Sequence, residues 1–384
     1  MILKRVVPVC TLLCWLVLSG QGQGHHMDFR HLDYSDGLPD MGSIQDVMQD
    51  PMGRVWLAYD RGLFRYDGHE IVRLVHSPTD SNSVAEEFVG ALFVAGDGRI
   101  WAGTANRGIS IFDPVAEHFS HIRTEAEGGP LPMIRIWSMK EDHDGTLWIA
   151  TNSALIRLDQ ATYAHQEFHF DHPGYTQRQL DYLNDGRKTL EDPRNPDRLF
   201  YATRGGLLSF RKSQETFELH RMPFAGMDSL DYLINDFLFS DSTMLWMGTW
   251  GGFLLQYNTA AGTWKQYNDP KDISGQGIIR TIERRSNQTL WVVGTPGFGY
   301  FDMNNGIYHY YRHDPDDTKS LSDLVVPGMM LFTQDSTLMV IGRRGISISD
   351  PFPGYRATQE QFKPYLDEIR INGHPIQMDT ATAY

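Results

Sequence analysis

A unit of about 47 residues recurs seven times along this chain, and no other feature restricts its fold as strongly. Each copy reads as an apolar strand, a tight turn, a strand opening on a large apolar anchor, a second turn and two further strands. The anchors are Trp56, Trp101, Trp148, Phe200, Trp246, Trp291 and Met339, spaced 45, 47, 52, 46, 45 and 48 residues apart. No helical repeat fits, because Gly, Asp and Pro break every unit into short alternating runs. Four-stranded units of about 40–50 residues are propeller blades. The period therefore predicts an all-β fold, a seven-bladed β-propeller.

The chemistry of the unit supports this reading. Gly53, Gly98 and Gly145 stand where the first hairpin needs a positive φ. The anchor then serves as an apolar plate between neighbouring blades, which cannot bury their faces alone. An aromatic fourth strand follows in most units, as in Phe119-Ile122, Trp264-Tyr267 and Tyr308-Tyr311. The seventh unit lacks one after Asp350, and the missing copy sits at the other end of the chain as Phe29-Arg30-His31-Leu32. The last blade is thus expected to be closed by the N-terminal strand, which hides an otherwise open edge.

The first residues read as a targeting segment. Lys4 and Arg5 precede an apolar run, Val6 to Leu18, that is short for a membrane span and suits a signal peptide over residues 1–24. Both cysteines, Cys10 and Cys14, fall inside it, so the processed chain would have no disulfide and no thiolate. The formal charge of −14 excludes the electrostatic footprint of a nucleic-acid partner.

The best units, EDHDGTLWIATNSALIRLD (141–159) and AGDGRIWAGTANRGISIFD (95–113), resemble the two-component regulator propeller repeat. Its pattern is D-x-x-G-x-[LI]-W-[IV]-G-T followed by G-[LI]-x-x-[FY]-D. Units four and seven depart from it at Phe200 and Met339. Past the ring (27–352), FKPYLDEIRINGHPIQ (362–377) resembles the opening of a three-tyrosine β-sandwich, so 353–384 is expected to be a truncated start of that domain. The resemblance implies a periplasmic sensor of a two-component system. It implies a carbohydrate or related small ligand, and a membrane-anchored kinase or output segment absent from this chain. It also implies a homodimer formed through the missing sandwich. Two other readings are a propeller enzyme acting on glycans, as lyase or hydrolase, and a protein-interaction platform.

No nucleophile elbow, zincin motif or phosphate-binding loop is present, so no catalytic residue, metal or cofactor is expected. Asp142-His143-Asp144-Gly145 falls on the repeat's own hairpin and reads as a turn rather than a calcium loop. Asp314-Pro315-Asp316-Asp317 reads as a solvated connection. Candidate ligand contacts lie on the face carrying the second-to-third-strand turns. Those turns offer Arg61, Arg107, Arg204, Trp250 and Arg343, four of them arginines in an acidic protein. The starts of the innermost strands add Trp137, Asn235 and Arg280. Guanidinium forks suit carboxylate, sulfate or sugar hydroxyls, and an aromatic ring suits a pyranose face.

Overall fold

A computed structural model describes residues 27–40, 42–223, 232–267, 277–295, 297–311, 313–322, 328–343 and 345–349, with the backbone of 369–371 and 374–376. The leader expected at 1–24 and most of the 353–384 segment lie outside the described residues. Within the latter, Ile369–Ile371 and His374–Ile376 pair as an antiparallel hairpin.

Seven four-stranded antiparallel sheets form the blades. Their innermost strands, in chain order, are Ile44–Gln49, Val89–Val94, Ile136–Glu141, Gly186–Asp192, Ile234–Phe239, Ile278–Arg284 and Met329–Phe332. Each is in contact with the next, and Met329–Phe332 returns to Ile44–Gln49, so the ring is closed. The closing strand is the N-terminal one. Phe29–Leu32 pairs with Ile346–Ser349, with Phe29 opposite Ser349 and Leu32 opposite Ile346. Arg30 Nη2 also donates to the Tyr66 hydroxyl of blade 1 at 2.6 Å.

The anchors do pack between blades. Trp56 of blade 1 is fully buried among Val89, Leu92, Ile100, Ala102 and Phe112 of blade 2. Trp101, Trp148, Phe200, Trp246 and Trp291 enter the following blade in the same way, and Met339 of blade 7 packs against blade 1. A buried Trp removes about 200 Å2 from water, roughly 5 kcal/mol of apolar transfer free energy.

The repeat's polar letters have separate duties. Asp50 Oδ2 accepts the Trp56 indole N–H at 2.8 Å, while Oδ1 accepts Met52 N–H and Arg54 N–H. Asp142 repeats this with Trp148 at 2.8 Å. The hairpin aspartate thus caps its turn and fixes the plate. Blade 2 has Ala95 at this position, and the buried Trp101 Nε1 is left without an acceptor. The Gly two residues past the plate is dictated by the next blade: a Cβ on Gly103 or Gly248 would lie 2.5 or 2.4 Å from a methyl of Ile136 or Ile279. The following Thr closes the next turn, as Thr151 Oγ1 donates to Ala154 O at 2.7 Å.

The loops between blades carry structure of their own. Asp314-Pro315-Asp316-Asp317 is solvated as its sequence suggests, and its loop is also an ordered clasp in which Asp314 N–H donates to Ser320 Oγ at 2.9 Å and His313 Nδ1 pairs with Leu321 O at 2.9 Å. Loop 76–84 builds the same clasp through Ser77, Ser83, His76 and Val84. Between blades 3 and 4 an unanticipated α-helix, Gln177–Asn184 (α1), is set by a capping box of Thr176 and Gln179 and by the buried Leu183.

Removing Met27–Ser35 strips blade 7 of its outer strand and exposes the Ile346–Ser349 edge. Loss of the buried Phe29 and the ladder should cost about 4 kcal/mol, a fall of roughly 10 °C in Tm for a ring of this size. Differential scanning fluorimetry of the truncated chain checks this; an unchanged Tm would contradict closure by this strand.

Candidate ligand-binding site

Six innermost strands carry a β-bulge near their first residue, and the residue left out of the ladder is Gln45, Gly90, Trp137, Arg187, Asn235 or Arg280. A bulge re-aims the side chain at the extra residue. Here the six form a belt around the ring axis, at the end of the strands beside the second-to-third-strand turns. Asn235 Nδ2 donates to Ile279 O of the next blade at 2.9 Å, and Arg280 Nη2 reaches Ile44 O of blade 1 at 2.8 Å, past blade 7.

On blades 2 to 4 the belt is aromatic and cationic. The guanidinium of Arg187 lies 4.2 Å from the Trp137 ring centre, and that of Arg135 lies 5.1 Å from the same ring and 4.7 Å from Phe88. Arg204, on the blade 4 turn, lies 4.1 Å from the ring of Tyr182, which α1 supplies. Backbone bonds from Arg204 N to Asp185 O and from Gly205 N to Tyr182 O, at 2.8 and 2.9 Å, lock turn to helix end. The countercharge is Asp185, whose Oδ2 is 3.2 Å from Arg187 Nη2. Burial pushes the Asp185 carboxyl up, against the pull of Arg187 and Arg204. Burial likewise holds Arg187 below its ordinary value, opposed by Asp185 and reinforced by Arg204 and Arg135.

Deeper in the channel the charges hold blades together. Asp46 Oδ2 accepts Leu92 N–H of blade 2 at 2.8 Å, and Asp236 Oδ2 accepts Ile282 N–H of blade 6 at 2.9 Å. Lys188 pairs with Asp236. Glu283 is 2.7 Å from Arg285. Burial raises the Asp46 carboxyl to about 6, against the backbone N–H groups of Leu92 and Val47. Burial raises Glu283 to about 7, with Arg285 and Lys188 opposing and Asp236 adding to the rise.

The residues singled out from sequence divide into two sets. Trp137 and Arg204 belong to the blade 3–4 cluster, and Asn235 and Arg280 to the belt beside it. Arg61 and Arg343 are exposed on their turns. Arg107 forms an ion pair with Glu127 at 2.5 Å, in the connection that follows blade 2's outer strand. Trp250 is 43% exposed on the blade 5 turn, an accessible ring on this face. The sequence reading did not single out Phe88, Arg135, Tyr182, Asp185 or Arg187. A signal for Arg187 exists: the belt residue precedes its anchor by eleven positions in the other five bulged blades, and by thirteen in blade 4, whose hairpin is longer. On the opposite face, Asp142, His143 and Asp144 bring ligand atoms within 4.8 Å of one another. Asp142 there already accepts Trp148 Nε1 and Lys212 Nζ, each at 2.8 Å, and His143 Nδ1 is 2.5 Å from Glu191 Oε1. The group clasps blade 3 to blade 4.

Residues 130–153, which contain Arg135, Trp137 and the Trp148 plate, match the family model of the two component regulator propeller. One unit of the ring thus matches the two component regulator propeller repeat. The ring is similar to solved extracellular domains from B. thetaiotaomicron described as hybrid two component systems. With that of BT4673 it shares 19% identity over 84% of this chain and 40% of that one, at a TM-score of 0.68. With that of BT3049 the identity is 17%, over 85% and 42%, at the same TM-score of 0.68. The chain thus spans about four tenths of those domains. Virginiamycin B lyase from Staphylococcus aureus shares 13% identity over 85% of this chain and all of its own, at a TM-score of 0.61. These likenesses establish the propeller fold. No curated protein is significantly similar in sequence. Among the described residues no helix is long and apolar enough to cross a membrane.

The channel carboxylates give the repeat ring a pH signature. A carboxyl whose folded-state pKa is raised contributes stability that is full below its ordinary pKa of about 4.5 and lost as pH rises through about 7. Glu283→Gln removes that loss. The wild type should therefore fall in Tm relative to the variant between pH 5 and 8. Parallel melting curves check it, and a constant difference across that range would contradict the assignment.

Proposed function

We propose that this chain is the extracytoplasmic sensing propeller of a two-component signal transduction system, binding an oligosaccharide at the channel mouth. In this reading it sits in the periplasm, and a membrane-anchored kinase or output segment on another part of the protein reads its state. The observation that carries the proposal is the one-sided cluster of guanidiniums and rings on blades 2 to 4, built within and beside the segment that matches the repeat family. The extracellular setting of the B. thetaiotaomicron domains supports the location. Guanidiniums bind oxyanions and hydroxyls without exchanging protons at neutral pH, and the one carboxylate among them is tied to Arg187. That composition favours recognition over turnover, so the propeller itself is read as non-catalytic.

Titration calorimetry of the purified ring against neutral and acidic oligosaccharides tests this. One class should bind with a micromolar Kd, and Arg204→Ala with Trp250→Ala should weaken it at least tenfold, about 1.4 kcal/mol. Absence of binding in every class would favour the protein-interaction platform, and appearance of cleaved products would favour an enzyme.

A further inference from the structure

The geometry points to an oxyanion, a carboxylate or sulfate carried by an acidic saccharide, as the group that the blade 2–4 mouth cluster recognises through Arg187 and Arg204. This inference rests on the sensing reading above and narrows its ligand.

The ring's own pseudo-symmetry supplies the control. The positions on either side of the first innermost-strand residue hold Ser43 and Gln45 in blade 1, and Leu233 and Asn235 in blade 5. Blades 3 and 4 place Arg135, Trp137, Asp185 and Arg187 there. A blade is therefore built perfectly well with neutral residues at these positions, and the fold does not require the arginines. Their concentration is unfavourable in isolation: like charges share a half-enclosed mouth with a single countercharge, and burial already disfavours the charged form of Arg187.

Hydrogen bonding points the same way. Arg187 Nε and Arg204 Nε are buried and have no hydrogen-bond partner, whereas Trp137 and Asp185 are placed to bond one another. Both orphans are donors, so the deficit is one of acceptors. Buried donors of this kind are normally satisfied. Two planar guanidiniums match the paired oxygens of a carboxylate or sulfate. The rings, meanwhile, are already covered. Guanidiniums lie over Trp137, Phe88 and Tyr182, so these aromatics hold the arginines in place rather than offering a face to a neutral sugar.

The test uses uronic-acid oligosaccharides, the same oligosaccharides after carboxyl reduction, and sulfated ones, each titrated into the whole chain at 50 and 500 mM salt. At least one anionic set should bind, weaken at least tenfold on carboxyl reduction or desulfation, and weaken again at high salt. Arg187→Gln made together with Asp185→Asn is the informative variant, because Gln45 occupies the same bulge in blade 1 and no buried carboxylate is left without its cation; its Tm should stay within a few degrees of that of Asp185→Asn alone. It should weaken anionic binding at least tenfold, as should Arg204→Gln. Equal binding of neutral and anionic forms would overturn the oxyanion assignment while leaving the sensing proposal intact. Anionic binding that both variants preserve would overturn the site. Failure of every saccharide to bind would remove the sensing reading on which the inference rests.

Discussion

The insertion of one large apolar side chain from each blade into the next is the contact on which this structure depends. Trp56, Trp101, Trp148, Trp246 and their counterparts leave every blade with one face completed by its own plate and the other by its neighbour's. A blade taken alone would expose both, so the stable unit is the closed ring. That requirement explains details that look local. Gly103 and Gly248 are small because Ile136 and Ile279 of the next blade lie against them. Asp50 and Asp142 are buried or nearly so because an indole N–H inside an apolar interface needs an acceptor.

Closure also creates the site. Innermost strands converge on the axis, and in six of the seven a bulge near the strand's start turns one residue out of the sheet. Below the belt, Asp46 and Asp236 spend their oxygens on backbone N–H groups of the next blade, which makes the channel polar without making it free to bind. At the mouth Asn235 and Arg280 still bridge blades, whereas blades 2 to 4 carry charges in positions that other blades fill with neutral residues. Arg187 and Arg204 are positioned by Trp137, by Tyr182 and by the end of α1, all fixed by backbone bonds and buried leucine rather than by a loop.

Much of the fold was legible because its signal is periodic. Seven anchors at near-constant spacing and a displaced Phe29-Arg30-His31-Leu32 specify both blade number and closure. The placement of the second-to-third-strand turns beside the innermost-strand starts was legible too, since it follows from strand alternation. What escaped was whatever breaks the period. Blade 4 has Phe200 for Trp and a longer hairpin, so Arg187 falls two positions out of phase with Trp137 and Arg280. Helix α1 is eight residues long, too short for its amphipathic pattern to stand out, and Tyr182 went with it. Arg107 shows the opposite error: its turn position is right, but Glu127, twenty residues on in the chain, captures the guanidinium.

On this proposal a ring built by interblade plates presents preorganised donors at one side of its channel mouth. A crystal structure of the chain with an acidic disaccharide bound tests it most directly. Ligand oxygens are expected within hydrogen-bonding distance of the Arg187 and Arg204 guanidiniums, with Trp137 and Tyr182 still lying against them. A disaccharide seated elsewhere on the ring, with both guanidiniums untouched, would contradict this.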